Sequence, residues 1–160
     1  MYLGYQNKKI KFYTEQPLDQ AFYNLDKVEQ TELEYVLNGE EYVLKDEAWE
    51  AEQAQKEAER IAKLFLTGAD VERGIYQAKG MDFEDILAMV AQLQPEGLDI
   101  KALKIEFKAN NFYRGNPYVI AVGSLLGFTP EQLDKFFEFN DYTYLLPIEE
   151  PEVEKPVEVE

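Results

Sequence analysis

The sharpest two-residue periodicity runs from Glu32 to Lys45, where polar and apolar positions alternate on either side of Asn38-Gly39. Asn-Gly is the dipeptide that tolerates positive φ at both central positions of a type I′ hairpin turn. A two-residue loop there pairs Leu37 with Glu40, Tyr35 with Tyr42 and Leu33 with Leu44. Leu33, Tyr35, Leu37, Tyr42 and Leu44 then share one face, and Glu32, Glu34, Glu41 and Lys45 share the other with Val36 and Val43. A lone hairpin is marginal in water, so its apolar face has to dock on something. Lys9 to Tyr13 is a short candidate strand that would extend it, and residues 14–30 read as an irregular connection.

From Asp46 to Leu66 the spacing changes to threes and fours. Ala51, Ala54, Ala58, Ile61 and Phe65 form a thin apolar stripe, with Glu50, Glu52, Gln53, Gln55, Lys56, Glu57 and Glu59 outside it. Alanine and its neighbours here are strong helix formers, so a long helix is expected, lying over the hairpin or against another helix. Shorter helices follow, each with a start signal. Thr67 with Asp70, Asp82 with Asp85, Asp99, Asn116-Pro117 and Thr129-Pro130-Glu131-Gln132 all match N-cap chemistry. Gly80, Gly97, Gly115 and Gly127 punctuate the ends, where positive φ is expected.

Residues 71–87 and 118–134 resemble each other at an offset of 47. Gly80 aligns with Gly127, Met81 with Phe128, Glu84 with Glu131 and Ile86 with Leu133. Each stretch reads as a helix, a glycine turn, an anchoring apolar residue, a cap and a second helix. Helix-turn-helix DNA binders share this outline. Here, though, the second helices carry Glu84 and Asp85, or Glu131 and Asp134 beside Lys135. Structural packing is therefore the expected role of both corners.

Charge sharpens that exclusion. The 160 residues hold 16 Lys and Arg against 32 Asp and Glu, a net charge of -16. A field of that sign repels nucleic acid and anionic membranes. Residues 147–160 contribute six glutamates, three prolines and one lysine, net -5, which leaves -11 for the rest. Such a stretch cannot bury enough apolar surface to offset ordering, so it is expected to be a flexible acidic tail. With 46% hydrophobic residues, the remainder is rich enough in apolar side chains to fold. The expected class is α+β and mainly α, a compact bundle of short helices with an N-terminal β-hairpin. Its expected parts are a strand-and-hairpin segment at 1–45, a helical domain at 46–146 and the tail at 147–160.

Candidate chemistry is sparse. Cysteine and histidine are absent, which removes thiolate and imidazole nucleophiles, bases and metal ligands. Asp82, Glu84 and Asp85 form the tightest carboxylate group, but they lack the order of a calcium loop and sit at a helix start that favours negative charge. No catalytic residue, cofactor, metal or small-molecule substrate is expected. No apolar run approaches membrane-spanning length, and the residues after Met1 carry no signal-peptide pattern, so the cytoplasm is the expected compartment.

Two stretches stand out as candidate partner-binding residues. Asn110 to Tyr118 combines amides, aromatics and one guanidinium, so Arg114 is a candidate for a partner's carboxylate, flanked by Tyr113 and Tyr118. Its structural alternative is an internal ion pair. The segment after the last helix adds Tyr142 and Tyr144 to Phe139, and either folds back on the domain or forms an aromatic contact patch.

The N-terminal run KKIKFYTEQPLDQAFYNLDKVEQTELEYVLNGEEYVLK, with AERIAKLFLTGADV and FYRGNPYVIAVGSLLGFTPEQLDKFF, resembles small acidic proteins of the tail modules of phages and prophages of low-GC Gram-positive bacteria. The resemblance covers about residues 6–139. It implies a non-enzymatic tail-associated structural or assembly protein that contacts other tail components or itself. Its implied place is the host cytoplasm during assembly or the virion tail. It assigns no catalytic residue. The alternative is an acidic inhibitor that imitates nucleic acid and occupies the basic cleft of a host enzyme.

Overall fold

The computed structural model describes residues 1–147, so the expected tail lies outside the described residues apart from Pro147. The chain mixes α and β structure: its N-terminal strands form sheets and several short helices follow. It divides into two compact units, Met1–Ala58 and Glu59–Glu160.

In the first unit, β1 (Tyr2–Gln6), β2 (Lys9–Thr14) and β3 (Lys27–Gln30) form an antiparallel sheet in the order β2-β1-β3. The candidate strand at Lys9 to Tyr13 exists, but it pairs with β1 and not with the hairpin. The stretch 14–30, read as irregular, supplies β3 at its end. Leu3 and Leu25 are buried here, while most aromatics of this unit stay half-exposed.

The hairpin is present as β4 (Tyr35–Asn38) and β5 (Glu41–Leu44), with its register displaced from the expected one. Tyr35 faces Leu44, Leu37 faces Tyr42 and Asn38 faces Glu41, so the loop is Gly39-Glu40. Gly39 has φ 65°, whereas neither Asn38 nor Glu40 has positive φ. Positive φ at the first loop position alone belongs to a type II′ turn, which demands glycine there and leaves Asn38 free to end the strand. The shift is an even one, so Tyr35, Leu37, Tyr42 and Leu44 still share a face. Leu33 falls outside the strand and is 56% exposed. Replacing Gly39 with valine should destabilise the hairpin by about 1–3 kcal/mol, since a β-branched residue is poorly tolerated at positive φ. Faster amide exchange at Val36 and Val43 would register the loss; unchanged exchange would contradict this turn.

Tyr5 and Glu29 tie β1 to β3. The Tyr5 hydroxyl donates to Glu29 Oε2 at 2.7 Å, and Lys27 pairs with the same carboxylate. The bond to Glu29, followed by burial, raises the Tyr5 phenol to about 12, while Lys27 and then Tyr5 hold Glu29 below the usual carboxylate range. A raised phenol favours the protonated, folded form. Its contribution is therefore full below the ordinary value of 10.0 and disappears as pH rises through about 12. The Glu29 contribution has the opposite window, present above 4.5 and lost as pH falls through its lowered folded value. Subtracting the tyrosinate absorbance titration of Tyr5→Phe from that of the parent should leave one phenol centred near 12. A difference curve centred at 10.0 would contradict the Tyr5–Glu29 bond.

The long helix, α1 (Glu47–Ala62), is shorter than expected and buries no residue. Its alanine stripe covers neither the hairpin nor another helix. A helix polar nearly all round persists by bridging between units or through side-chain pairs along its surface. Both features occur: the division between the units falls within α1, and Lys56 pairs with Glu52 at 2.6 Å.

In the second unit, Phe65, expected in the helix, begins a strand. β6 (Phe65–Thr67) pairs antiparallel with β7 (Asn111–Tyr113), placing Leu66 opposite Phe112 on the buried side. The helices of this unit are α2 (Gly68–Lys79), α3 (Phe83–Leu93), α4 (Ile100–Glu106), α5 (Pro117–Leu125) and α6 (Pro130–Phe139), of which α2 packs on the ribbon. The expected caps Thr67, Asp82, Asp99, Asn116 and Thr129 occupy the N-cap positions of these helices. Both corners form as read: Asp82 and Thr129 close capping boxes, and Gly80 and Gly127 have φ 69° and 80°. Gly115 differs from expectation. Its φ is not positive, and it is small because its backbone lies against Ala62, where an added Cβ would come 2.9 Å from the Ala62 Cβ.

The core of this unit is one cluster that includes Val71, Ile75, Ile86, Val90, Leu103, Phe112, Val122, Leu133, Phe136 and Leu145. An apolar cavity of about 40 Å³ remains among these side chains, room for little more than a water-sized guest.

Candidate partner-binding surface

The C-terminal end of the second unit is organised by one glutamine. Gln132 Oε1 accepts from Thr129 N at 2.9 Å, completing the cap of α6, and its Nε2 donates to the Leu146 carbonyl at 2.8 Å. A single buried amide thus starts the helix and pins the chain that returns from it. At the far end, Asn140 is left-handed at φ 51° and its N–H closes on Phe136 O, so the chain reverses. A 3-10 turn, Tyr142–Leu145, follows, capped by Asp141 Oδ1 accepting from Thr143 N at 2.9 Å. The Thr143 amide and hydroxyl lower the Asp141 carboxyl below its usual range. Leu145 is 1% exposed and anchors the turn in the core.

This anchoring leaves Phe139 and Tyr144 outside, 58% and 37% exposed, with ring centroids 5.4 Å apart. Lys135 sits 6.0 Å from the Tyr144 ring and pairs with Glu131 at 2.9 Å, the bond that chiefly raises its pKa. Leu146 adds an exposed aliphatic side chain at the end of the same turn. A groove of about 190 Å³ runs beside it between Lys135, Tyr144, Leu146 and Pro147. The patch is therefore a pair of exposed rings at a helix end, with one cation near one ring.

Tyr142, expected to share this surface, turns the other way. It is half-buried beside Asp70, Arg73, Gly74 and Phe136, in a recess between α2 and the C-terminal turn. The residues around 110–118 are likewise split. Tyr113 is 51% exposed and packs across the ribbon on Phe65, centroids 5.7 Å apart, as a second exposed aromatic pair. Tyr118 is half-buried and lines the internal cavity with Glu106 and Asn116.

Arg114 is not presented to a partner. It is 8% exposed, with Nε 2.7 Å from Asp134 Oδ1 and Nη2 donating to the Pro130 carbonyl at 3.2 Å. The Nε–Oδ1 contact is a close ion pair and not an aligned hydrogen bond, and neither atom has a hydrogen-bond partner elsewhere among the described residues. The guanidinium straps β7 to the first turn of α6, which is the structural alternative for this residue.

Phe65 and Lys135 belong to the exposed surface, although their sequence positions do not announce it. For Phe65, the signal lay in the matched triplets Phe65-Leu66-Thr67 and Asn111-Phe112-Tyr113, each with one buried residue between two outward ones. Among the described residues, no group of three or more Asp and Glu is placed to hold a metal ion, and no helix is long and apolar enough to cross a membrane. No protein-family model matches the chain, and neither the curated proteins nor the solved structures contain a match.

Proposed function

We propose that this chain is a non-enzymatic protein that works through protein–protein contacts, as a tail-associated structural or assembly component of a phage or prophage. The observation that carries the contact reading is the exposed Phe139–Tyr144 pair, with ring centroids 5.4 Å apart beside a turn that Gln132 pins through the Leu146 carbonyl. Rigid aromatic side chains lose little entropy on binding and commonly dominate interface energies. The tail assignment rests on the sequence resemblance. The second unit reads in finer detail as a bundle of short helices whose end presents this pair.

Phe139→Ser with Tyr144→Ser is the direct test. Both rings lie outside the core, so the double variant should melt within about 0.5 kcal/mol of the parent. Its recovery with purified particles, or with tail proteins from cells making them, should fall by about tenfold or more, as loss of one hot-spot residue would give. Equal recovery of parent and variant would overturn the assignment of this surface. A second reading, the nucleic-acid mimic, is favoured by the exposed carboxylates of α1, such as Glu47, Glu50 and Glu52. It requires salt-sensitive inhibition of a DNA-handling enzyme that the double variant leaves intact.

A further inference from the structure

We propose that the acidic segment 148–160 docks in extended form on the lysine face of α4 in the same molecule. This does not depend on the surface around Phe139. Lys101, Lys104 and Lys108 recur at spacings of three and four, so they share one side of α4 and of the turn that Lys108 N closes on the Ile105 carbonyl at 3.1 Å. All three are exposed, and none has an ion pair or a side-chain hydrogen bond among the described residues. The other described cations of the second unit, Lys63 excepted, are engaged: each arginine and Lys135 pairs with a carboxylate, and Lys79 lies 5.1 Å from the centre of the Phe128 ring. The two acids of the α4 stretch are held by neutral donors. Asp99 Oδ1 accepts from Lys101 N at 2.7 Å and Ala102 N at 2.9 Å, and Glu106 Oε2 accepts from Asn116 Nδ2 at 2.9 Å. Residues 99–108 thus carry three Lys against one Asp and one Glu, net +1, in a chain of net -16.

Charge and reach select the occupant. Residues 148–160 hold six Glu and one Lys, net -5, and the acidic remainder of the chain repels them. Their reach when extended is up to about 43–47 Å. Leu145 and Phe107 line the same core cavity, so the chain leaves Pro147 two positions after a side chain that shares a wall with the neighbour of Lys108. Three lysines spread over seven residues of helix cover about 10 Å. An extended segment puts Glu150, Glu152 and Glu154 on one side over about 13 Å, a similar span. Single exposed ion pairs are weak. Tethering compensates, because a short linker holds its end at an effective concentration in the millimolar range. Docked there, the segment cancels this cationic face and withholds it from other polyanions, nucleic acid included.

The chain has no cysteine, so Val153→Cys carries a nitroxide at one site of the full-length protein. At low salt the label should broaden the amides of Lys101, Lys104 and Lys108 more than that of Glu131. The excess should fall about threefold or more in 1 M salt, where screening reaches contact distance. It should fall as far when Lys101, Lys104 and Lys108 are changed to Gln. The reciprocal variant, Glu150→Gln with Glu152→Gln and Glu154→Gln, should lose it too, and it leaves every described residue unchanged. That variant should also bind a polyglutamate peptide about threefold or more tightly than the parent, because the tethered competitor is gone. Broadening that ignores salt, survives either set of substitutions or stays confined to residues beside Pro147 would overturn the proposal. Equal affinity of parent and variant for polyglutamate would do the same, leaving the lysine face to an outside acidic partner. So would broadening of an isotope-labelled chain by the nitroxide of a second copy, which would mean docking between molecules.

Discussion

Phe136→Ala should destabilise the second unit by about 3–5 kcal/mol, the cost typical of emptying a buried phenylalanine site. Phe136 is 2% exposed, packs edge-on against Phe137 with centroids 5.7 Å apart, and reaches the backbone of α2 at Gly74. The fit there is tight: a Cβ built on Gly74 would fall 2.4 Å from the Phe136 Cζ. With total stabilities near 5–15 kcal/mol, a loss of that size moves the midpoint by about 15 °C or more. Gly74→Ala should itself cost about 1–3 kcal/mol through overpacking, even though alanine favours the helix. Combined with Phe136→Leu it should cost less than the sum of the single changes, because the smaller side chain leaves room for the new methyl group. Denaturant unfolding followed by circular dichroism reads all of these. Additive losses would contradict direct contact between the two positions.

Arg114→Ala should cost about 2–4 kcal/mol, since it strands Asp134 beside the α6 start. Full burial of both partners would place the loss at the top of the usual range. The Asp134 side chain is 30% exposed, so water relieves part of it. Arg114→Met with Asp134→Leu should recover most of the stability, as apolar replacement of a whole buried pair commonly does. The same double variant should bind partners as the parent does. If Arg114→Ala weakened assembly while leaving the melting curve unchanged, the guanidinium would be a recognition group and not a strap.

The caps were legible because their chemistry is local. Thr129, Pro130 and Gln132 specify a helix start through hydrogen bonds within one turn, and no distant contact competes with them. The hairpin was legible in place but not in register, because Asn38-Gly39 and Gly39-Glu40 both fit around Gly39 and the strands can slide by an even step without exchanging faces. The β6–β7 ribbon was hidden for the opposite reason. Its strands have three residues each, and their pairing joins positions 46 apart, as Phe112 and Leu66 show. A periodicity window cannot register so short a run.

Side-chain direction was the hardest part of the surface to read. Tyr142 and Tyr144 look equivalent in sequence, yet in a 3-10 turn they face different neighbours, one toward Gly74 and one toward Phe139. Arg114 looked like the most chemically capable side chain of its stretch, and its carboxylate partner lies 20 residues away on α6. The alanine stripe of α1 had the right spacing for a buried face, but small side chains gain too little from burial to force one.

The most direct measurement is site-specific photo-crosslinking from position 139, compared with position 51 on the exposed α1, in cells that make this chain together with the phage or prophage tail components that the proposed function requires. Crosslinks from position 139 to a tail component, with few from position 51, are the predicted result. Crosslinks from position 51 to a DNA-handling enzyme, with none from position 139, would contradict the assignment of the Phe139–Tyr144 surface and favour the acidic mimic.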